Sequence, residues 1–277
     1  LFSNFQHLNY WGLELTGEYA AARMDDRLTR GGPVAWQSSG WNIRGTLNSD
    51  PRRPINGSFG LGTSSEALGN RTDEVSAALN LQVSPRWSLT LIPRLDWIKQ
   101  EAQYVTSQAD SAAISTYGMR YIFAPLDQTE ASLVARLNYA FSQDLTLELF
   151  AQALVSHGDY GAPKEFMEPR GFRFATYGRD TGTISRTGIS YLVDPDGAGP
   201  AGSFDFDDRT FTSRSLRINA VLRWEFRPGS TLYAVWQQQR LNELMVDDFS
   251  VGRAASNVFD ADSVNIFALK VSYWFNL

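Results

Sequence analysis

Two short stretches of the chain carry the residue types that chemistry would need. "SHGD" (156–159) sets Ser156, His157 and Asp159 within four residues. A hydrolytic triad needs nucleophile, base and orienting carboxylate to converge in space. Residues this close at a strand end do not converge, so no catalytic residue and no enzymatic role are expected, and His157 is read at an outer rim. "DPDGAGPAGSFD" (194–205) has the spacing of a calcium loop, with Asp194 and Asp196 at positions one and three, Gly199 at six and Asp205 at twelve. Ala198 replaces a ligand at position five, and Pro195 and Pro200 interrupt the loop. A solvated acidic loop is the preferred reading. Asp194, Asp196 and Asp205 are the residues calcium would use, and no other cofactor is expected. "LTRGGP" (28–33) lacks the strand-to-helix context of a phosphate loop and reads as an external turn.

A second set is defined by alternation. Glu14, Glu18, Arg44, Arg94, Asp96, Arg136, Glu148, Arg217, Arg223 and Glu225 all fall on the hydrated side of segments that alternate with period two. Both signs occur. Neighbouring strands would pair them into a network that satisfies buried groups, or they would line a path for solutes.

The elements that must position these residues are strands. In "VSAALNLQV" (75–83) the odd positions are Val75, Ala77, Leu79, Leu81 and Val83, and they continue past "SPR" as Trp87, Leu89, Leu91, Pro93, Leu95 and Trp97. "EASLVARLNYAF" and "LTLELFAQALVS" repeat the plan around "SQD", and "SLRINAVLRWEF" and "TLYAVWQQQR" repeat it around "RPGS". Period-two patterning over ten or more residues signals a strand, and no helical period is evident. Very short turns sit at 84–86, 142–144 and 227–230, with a slightly longer one at 48–53. Between them lie longer Gly-, Asp- and Ser-rich stretches at 64–71, about 105–129, about 158–212 and about 244–263. Outer-membrane barrels alternate short periplasmic turns with long external loops in this way.

With the short turns in the periplasm, strands near 6–20, 53–65, 87–103, 145–157 and 231–243 run outward. Strands near 34–47, 72–84, 130–141, 213–226 and 264–276 return. "YGMRYIFAPL" (117–126) breaks this scheme as a span and is read as external loop. Trp87 and Trp97 would stand roughly 25 Å apart along the membrane normal, about the height of a barrel's apolar band. Tyr139, Phe141, Trp224, Phe226, Tyr273 and Phe275 fall near periplasmic ends. Leu269, Val271, Tyr273, Phe275 and Leu277 would be the lipid face of a closing strand.

Bulk properties agree. The chain has 277 residues, 43% hydrophobic, and a mean hydropathy of −0.28. No apolar run approaches the roughly 18–20 residues of a spanning helix, a test that a barrel escapes. A net charge of −5 argues against nucleic acid as a partner. Cysteine is absent and the only histidines are His7 and His157, which excludes disulfides and thiolate metal sites and disfavours a multi-histidine centre.

Four blocks carry a family resemblance: "DDRLTRGGP" (25–33), "YIFAPLDQTEASLVARLNYAFSQDLTLELFAQALVSHGDY" (121–160), "VLRWEFRPGSTLYAVWQQQR" (221–240) and "FALKVSYWF" (267–275). They resemble the C-terminal outer-membrane β-barrel of a large bacterial family that joins a family-9-type carbohydrate-binding-like domain to a barrel of unassigned function. The resemblance implies no catalytic residues. The chain opens already inside the barrel pattern, so the binding-like domain has no counterpart in it, and further strands are expected to precede Leu1.

The expectation is therefore an all-β protein. It is a transmembrane, antiparallel, up-and-down β-barrel with about ten visible strands, alone or within a larger barrel, over residues 1–277. It is expected in the outer membrane of a Gram-negative bacterium, in contact with lipid. The expected role is scaffold or subunit of an outer-membrane complex, with protein partners held by long external loops or the periplasmic rim. The alternative is a porin-like or glycan-related solute transporter.

Overall fold

A computed structural model describes residues 1–244 and 261–275. Long alternating segments form long strands, and short polar or apolar runs between them form small satellite strands. In chain order these are β1 (Phe2–Gln6), β2 (Gly12–Ala20), β3 (Arg23–Asp25), β4 (Ala35–Gln37), β5 (Gly40–Asn48) and β6 (Ile55–Glu66). Next come β7 (Arg71–Ser84), β8 (Trp87–Ala109), β9 (Met119–Ala140), β10 (Leu145–Tyr160), β11 (Lys164–Phe166) and β12 (Phe174–Thr176). The last are β13 (Thr183–Thr187), β14 (Ser190–Asp194), β15 (Phe204–Asp207), β16 (Phe211–Arg227), β17 (Ser230–Leu244) and β18 (Ser263–Ser272). The protein is all-β and its sheets are antiparallel. Among the described residues no helix is long and apolar enough to cross a membrane.

The main sheet runs β1-β2-β5-β6-β7-β8-β9-β10-β16-β17-β18, with β11 and β12 attached through β9. Every strand on this path is antiparallel to the next. Among the described residues β1 and β18 do not pair, so the sheet is open at both edges. The β1–β2, β5–β6, β7–β8, β9–β10 and β16–β17 turns share one end, and the β6–β7 turn lies at the other. The two-residue turn Pro228–Gly229 requires a positive φ at Gly229 (+77°), which glycine adopts without steric cost.

Register sorts the side chains. Partners in an antiparallel ladder point to the same face. One row across seven strands reads Leu81, Leu89, Leu137, Leu149, Ala220, Trp236 and Phe267. The row one residue away reads Asn80, Thr90, Arg136, Phe150, Asn219 and Gln237. One face is thus apolar and the other polar. The apolar face is not packed under other protein: Phe267 is 75% exposed and Leu269 70%. Aromatics gather on it beside the short turns, where Tyr139 lies 4.7 Å from Phe141, Trp224 5.9 Å from Phe226, and Tyr273 4.6 Å from Phe275.

Several details depart from the sequence reading. The segment 6–20 is not one strand. Asn9 Oδ1 accepts the Trp11 N–H at 3.1 Å, Tyr10 takes a φ of 65°, and the chain turns back, which makes β1 an additional strand. The segment 34–47 breaks at Ser38, so that β4 pairs with β3 outside the main sheet. The connection at 64–71 is a tight turn through Gly69, φ +101°. "YGMRYIFAPL" is mostly strand: β9 begins at Met119 and pairs with a β8 of 23 residues. Residues 158–212 hold five short strands, β11–β15. The long connection at about 244–263, and Leu277, fall largely or wholly outside the described residues.

An apolar band about 25 Å tall needs only about 9–11 tilted residues per strand. β8 and β9 therefore extend far past the apolar face of their neighbours. Two bulges, between Gln100 and Gln103 and between Tyr104 and Thr106, twist this extension. Its two faces are covered by different segments. Phe123 and Tyr121 pack with Ala35, Phe166 and Phe174 on the side continuous with the apolar face. Ile122 packs with Tyr177, Val193, Phe204 and Phe206 on the side continuous with the polar face. Ile122 and Phe123 are fully buried. The three-stranded sheet β13-β14-β15 thus lies over the polar face at the long-loop end.

Candidate functional site

All ten charged residues singled out from the sequence share the polar face. Glu14 pairs with Thr46 and Glu18 with Asn42; Arg44 pairs with Gly62, and Arg94 with Ser76. Asp96 faces Glu130, Arg136 faces Phe150, and Glu148 faces Asn138. Arg217 and Arg223 face Gln152 and Thr146, and Glu225 faces Thr231.

Only some of them meet. Arg94 forks onto Asp96, with Nε 2.8 Å from Oδ2 and Nη2 3.0 Å from Oδ1. Its Nη2 also lies 3.1 Å from Glu74 Oε2, and Arg44 pairs with that same Glu74 oxygen. Glu74 did not stand out in the sequence because it precedes the counted apolar run, although its parity with Ser76 marks its face. The carboxylates lie beneath, with side chains 10% and 7% exposed at Glu74 and Asp96, while the side chains of Arg44 and Arg94 are 41% and 46% exposed. The network therefore presents positive charge outward. Arg223 pairs with Glu225 at 2.9 Å. The Arg136 guanidinium stands 5.6 Å from the centre of the Phe150 ring. Glu14, Glu18, Glu148 and Arg217 make no ion pair among the described residues.

A second, unforeseen cluster lies where the β8–β9 extension meets the satellite strands. Arg120 donates from Nη1 to both oxygens of Glu165 at 2.8 Å, and from Nε to Asp110 Oδ2 at 2.6 Å. Tyr177 Oη donates to Glu165 Oε2 at 2.8 Å. Arg120, Glu165 and Tyr177 are buried beside the Ile122 cluster, and Asp110 is half-buried. The Ala112 N–H and the Arg120 guanidinium hold the Asp110 carboxyl below the usual range. Burial, then the Glu165 charge, pushes the Tyr177 phenol well up. Burial works against the Arg120 charge, but its bonds to Asp110 and Glu165 outweigh it. The cluster is a charged clamp between β9 and the 161–208 excursion.

The triad reading of "SHGD" is ruled out by strand geometry. Ser156 Oγ accepts from Gln128 Nε2 at 2.9 Å on the polar face, while His157 Nδ1 lies 2.9 Å from Thr212 Oγ1 on the opposite face. Asp194, Asp196 and Asp205, the calcium-loop candidates, do not come together as a ligand set. Asp194 Oδ1 accepts the Gly197 N–H at 2.9 Å and Asp196 Oδ2 the Ala201 N–H at 3.0 Å. Asp205 sits within β15 opposite Leu192. Their oxygens serve turns and a strand, and among the described residues no three His, Asp or Glu side chains converge as a metal site. "LTRGGP" is a pinned turn: the buried Thr29 hydroxyl donates to Pro33 O at 2.8 Å, and Arg30 stacks 4.7 Å over the Tyr104 ring.

The fold and site define a class: an all-β, antiparallel sheet protein with one apolar and one charged face. A family model described as a domain of unknown function, DUF5916, matches residues 5–277, and the chain belongs to that family. No curated protein and no solved structure matches it.

Proposed function

We propose that the chain is the wall of an integral outer-membrane β-barrel that serves as a scaffold within an outer-membrane complex. The observation that carries the reading is the tiered apolar face. Val75, Leu95, Ala131 and Val155 form an apolar row across β7–β10. The next row is Asp73, Trp97, Thr129 and His157, and the next Arg71, Lys99, Asp127 and Asp159. Oily, interfacial and charged rows follow one another as they do across the boundary of a bilayer. Unpaired strand edges are not tolerated in hydrocarbon. In this reading the edges of β1 and β18 are closed by further strands.

The scaffold role is supported by the folded cap at the long-loop end. Its two apolar clusters and its buried clamp make a rigid platform of loops. The test is extraction of membranes with alkaline carbonate, followed by purification in detergent. The protein should stay with the membrane and bring a stoichiometric partner. Recovery as a monodisperse species without detergent would overturn the membrane reading. A detergent-purified protein with no partner would overturn the scaffold alone.

A second reading, a solute path, is favoured by the exposed arginine side chains of Arg44 and Arg94 on the polar face. Conductance in planar bilayers tests it, with Arg136→Ala and Arg223→Ala expected to change ion selectivity. Absence of conductance removes it.

A further inference from the structure

A cavity of about 310 Å³ lies at the long-loop end, away from both ion clusters. Five separate segments build it: the end of β3 with the turn after it, β4, the β6–β7 turn, β8 and residues near Phe172. Trp36, Leu68 and Phe172 give it an apolar wall. Trp36 is fixed by its backbone N–H, which donates to Gly171 O at 2.9 Å, and Phe172 packs edge-on against Phe174 at 4.9 Å.

The polar wall is locked in advance. Arg23 Nε donates to Gln37 Oε1 at 2.9 Å, and Gln37 Nε2 donates to Glu66 Oε1 at 3.3 Å. Asn70 Nδ2 donates to Glu66 Oε2 at 3.0 Å, and Asn70 Oδ1 accepts the Glu101 N–H at 2.8 Å. The Glu66 carboxylate is thereby held in one orientation at the cavity. Asp25 and Gln100 add further polar groups, and neither Lys nor Arg lines the space. Among the described residues no hydrogen bond engages the Trp36 indole N–H or the Gln100 amide.

We infer that this cavity binds a neutral polyhydroxylated ring, a pyranose unit of a glycan. Hydroxyls donate to Glu66 and Asp25 and accept from amide and indole N–H groups, which matches an amide-rich lining. The C–H face of such a ring lies against Trp36 and Phe172, whose π faces are electron-rich. The two carboxylates repel anions. Pre-locked side chains reduce the ordering cost of binding. The inference does not depend on whether the chain is membrane-embedded.

The test is saturation-transfer NMR and tryptophan fluorescence on the purified full chain, with methyl glucopyranosides and methyl galactopyranosides as probes and tetramethylammonium as a cationic comparison. At least one pyranoside should bind saturably at millimolar concentration. Trp36→Ala should weaken it by about tenfold or more. Gln100→Leu, which leaves the Glu66 lock intact, should also weaken it and stands as the test if Trp36→Ala fails to fold. Tyr10→Ala, at the opposite end of the sheet, should leave affinity unchanged. No saturable pyranoside binding, binding insensitive to Gln100→Leu, or displacement of the sugar by tetramethylammonium would each overturn the inference.

Discussion

Arg120 on β9 and Glu165 on β11 form a two-point ion pair, with both contacts at 2.8 Å and both residues at most 9% exposed. They are 45 residues apart in the chain, and the bond fastens the 161–208 excursion to the longest hairpin of the sheet.

Removing Glu165 leaves the buried Arg120 charge with Asp110 as its remaining ion-pair partner and takes the acceptor from the Tyr177 hydroxyl, which costs up to roughly 3–5 kcal/mol. Glu165→Ala should raise amide hydrogen exchange in 161–208 while strands within 87–97 remain protected. The set Arg120→Met, Glu165→Leu and Tyr177→Phe should recover much of that protection, because buried ionic and polar groups replaced together by apolar ones are near neutral, while Asp110 keeps the Ala112 N–H. Uniform loss of protection over the whole chain would show that the cap does not open as a unit.

The clamp should also respond to acid and to alkali. The folded Asp110 carboxyl is depressed, so its stabilisation is present above the unfolded value of about 3.9 and is lost as pH falls through the lower folded value. The folded Tyr177 phenol is raised, so its contribution is present below about 10 and is lost as pH rises beyond that. Exchange protection of 110–118 and 161–208 should therefore hold at neutral pH and fall at both extremes. Asp110→Asn should remove the acid limb and Tyr177→Phe the alkaline one.

The two faces should differ in their tolerance of charge. Leu149 stands mid-band on the apolar face, opposite Leu137 and Ala220. Leu149→Lys should cost about 2–4 kcal/mol in a bilayer, whereas Gln152→Lys on the polar face should cost far less. Denaturant titration in liposomes distinguishes them, and equal costs would contradict the assigned faces.

Glu74 lies between Arg44 and Arg94. If the polar face conducts, Glu74→Gln should shift reversal potentials toward anion preference in planar bilayers. Arg94→Gln should shift them the opposite way. Identical reversal potentials in both variants would show that ions do not pass this level.

Much of the architecture was legible because side chains on a strand alternate strictly, whatever the strand packs against. That rule put Trp87, Leu89, Leu91, Leu95 and Trp97 on one face and Arg94, Asp96 and Arg136 on the other, before any contact was known. It failed at residues 119–126. There Tyr121, Ile122, Phe123 and Ala124 are apolar on both sides, since two remote segments cover the two faces of the hairpin. Alternation disappears where burial is two-sided, and a Gly118 before and a Pro125 within made the stretch look like a loop.

The candidate sites divide in the same way. The polar-face charges follow from period and parity, which are local. Arg120, Asp110, Glu165 and Tyr177 meet only because the 161–208 excursion folds back across β9, and the calcium spacing of Asp194, Asp196 and Asp205 was lost when Asp205 joined a strand. The sequence by itself determined that the chain forms long antiparallel strands with one oily and one charged face, because alternation is a property of neighbouring residues. Tertiary structure alone decided which charges pair, what covers the β8–β9 extension and where a cavity forms, because those depend on the register and approach of residues far apart in the chain.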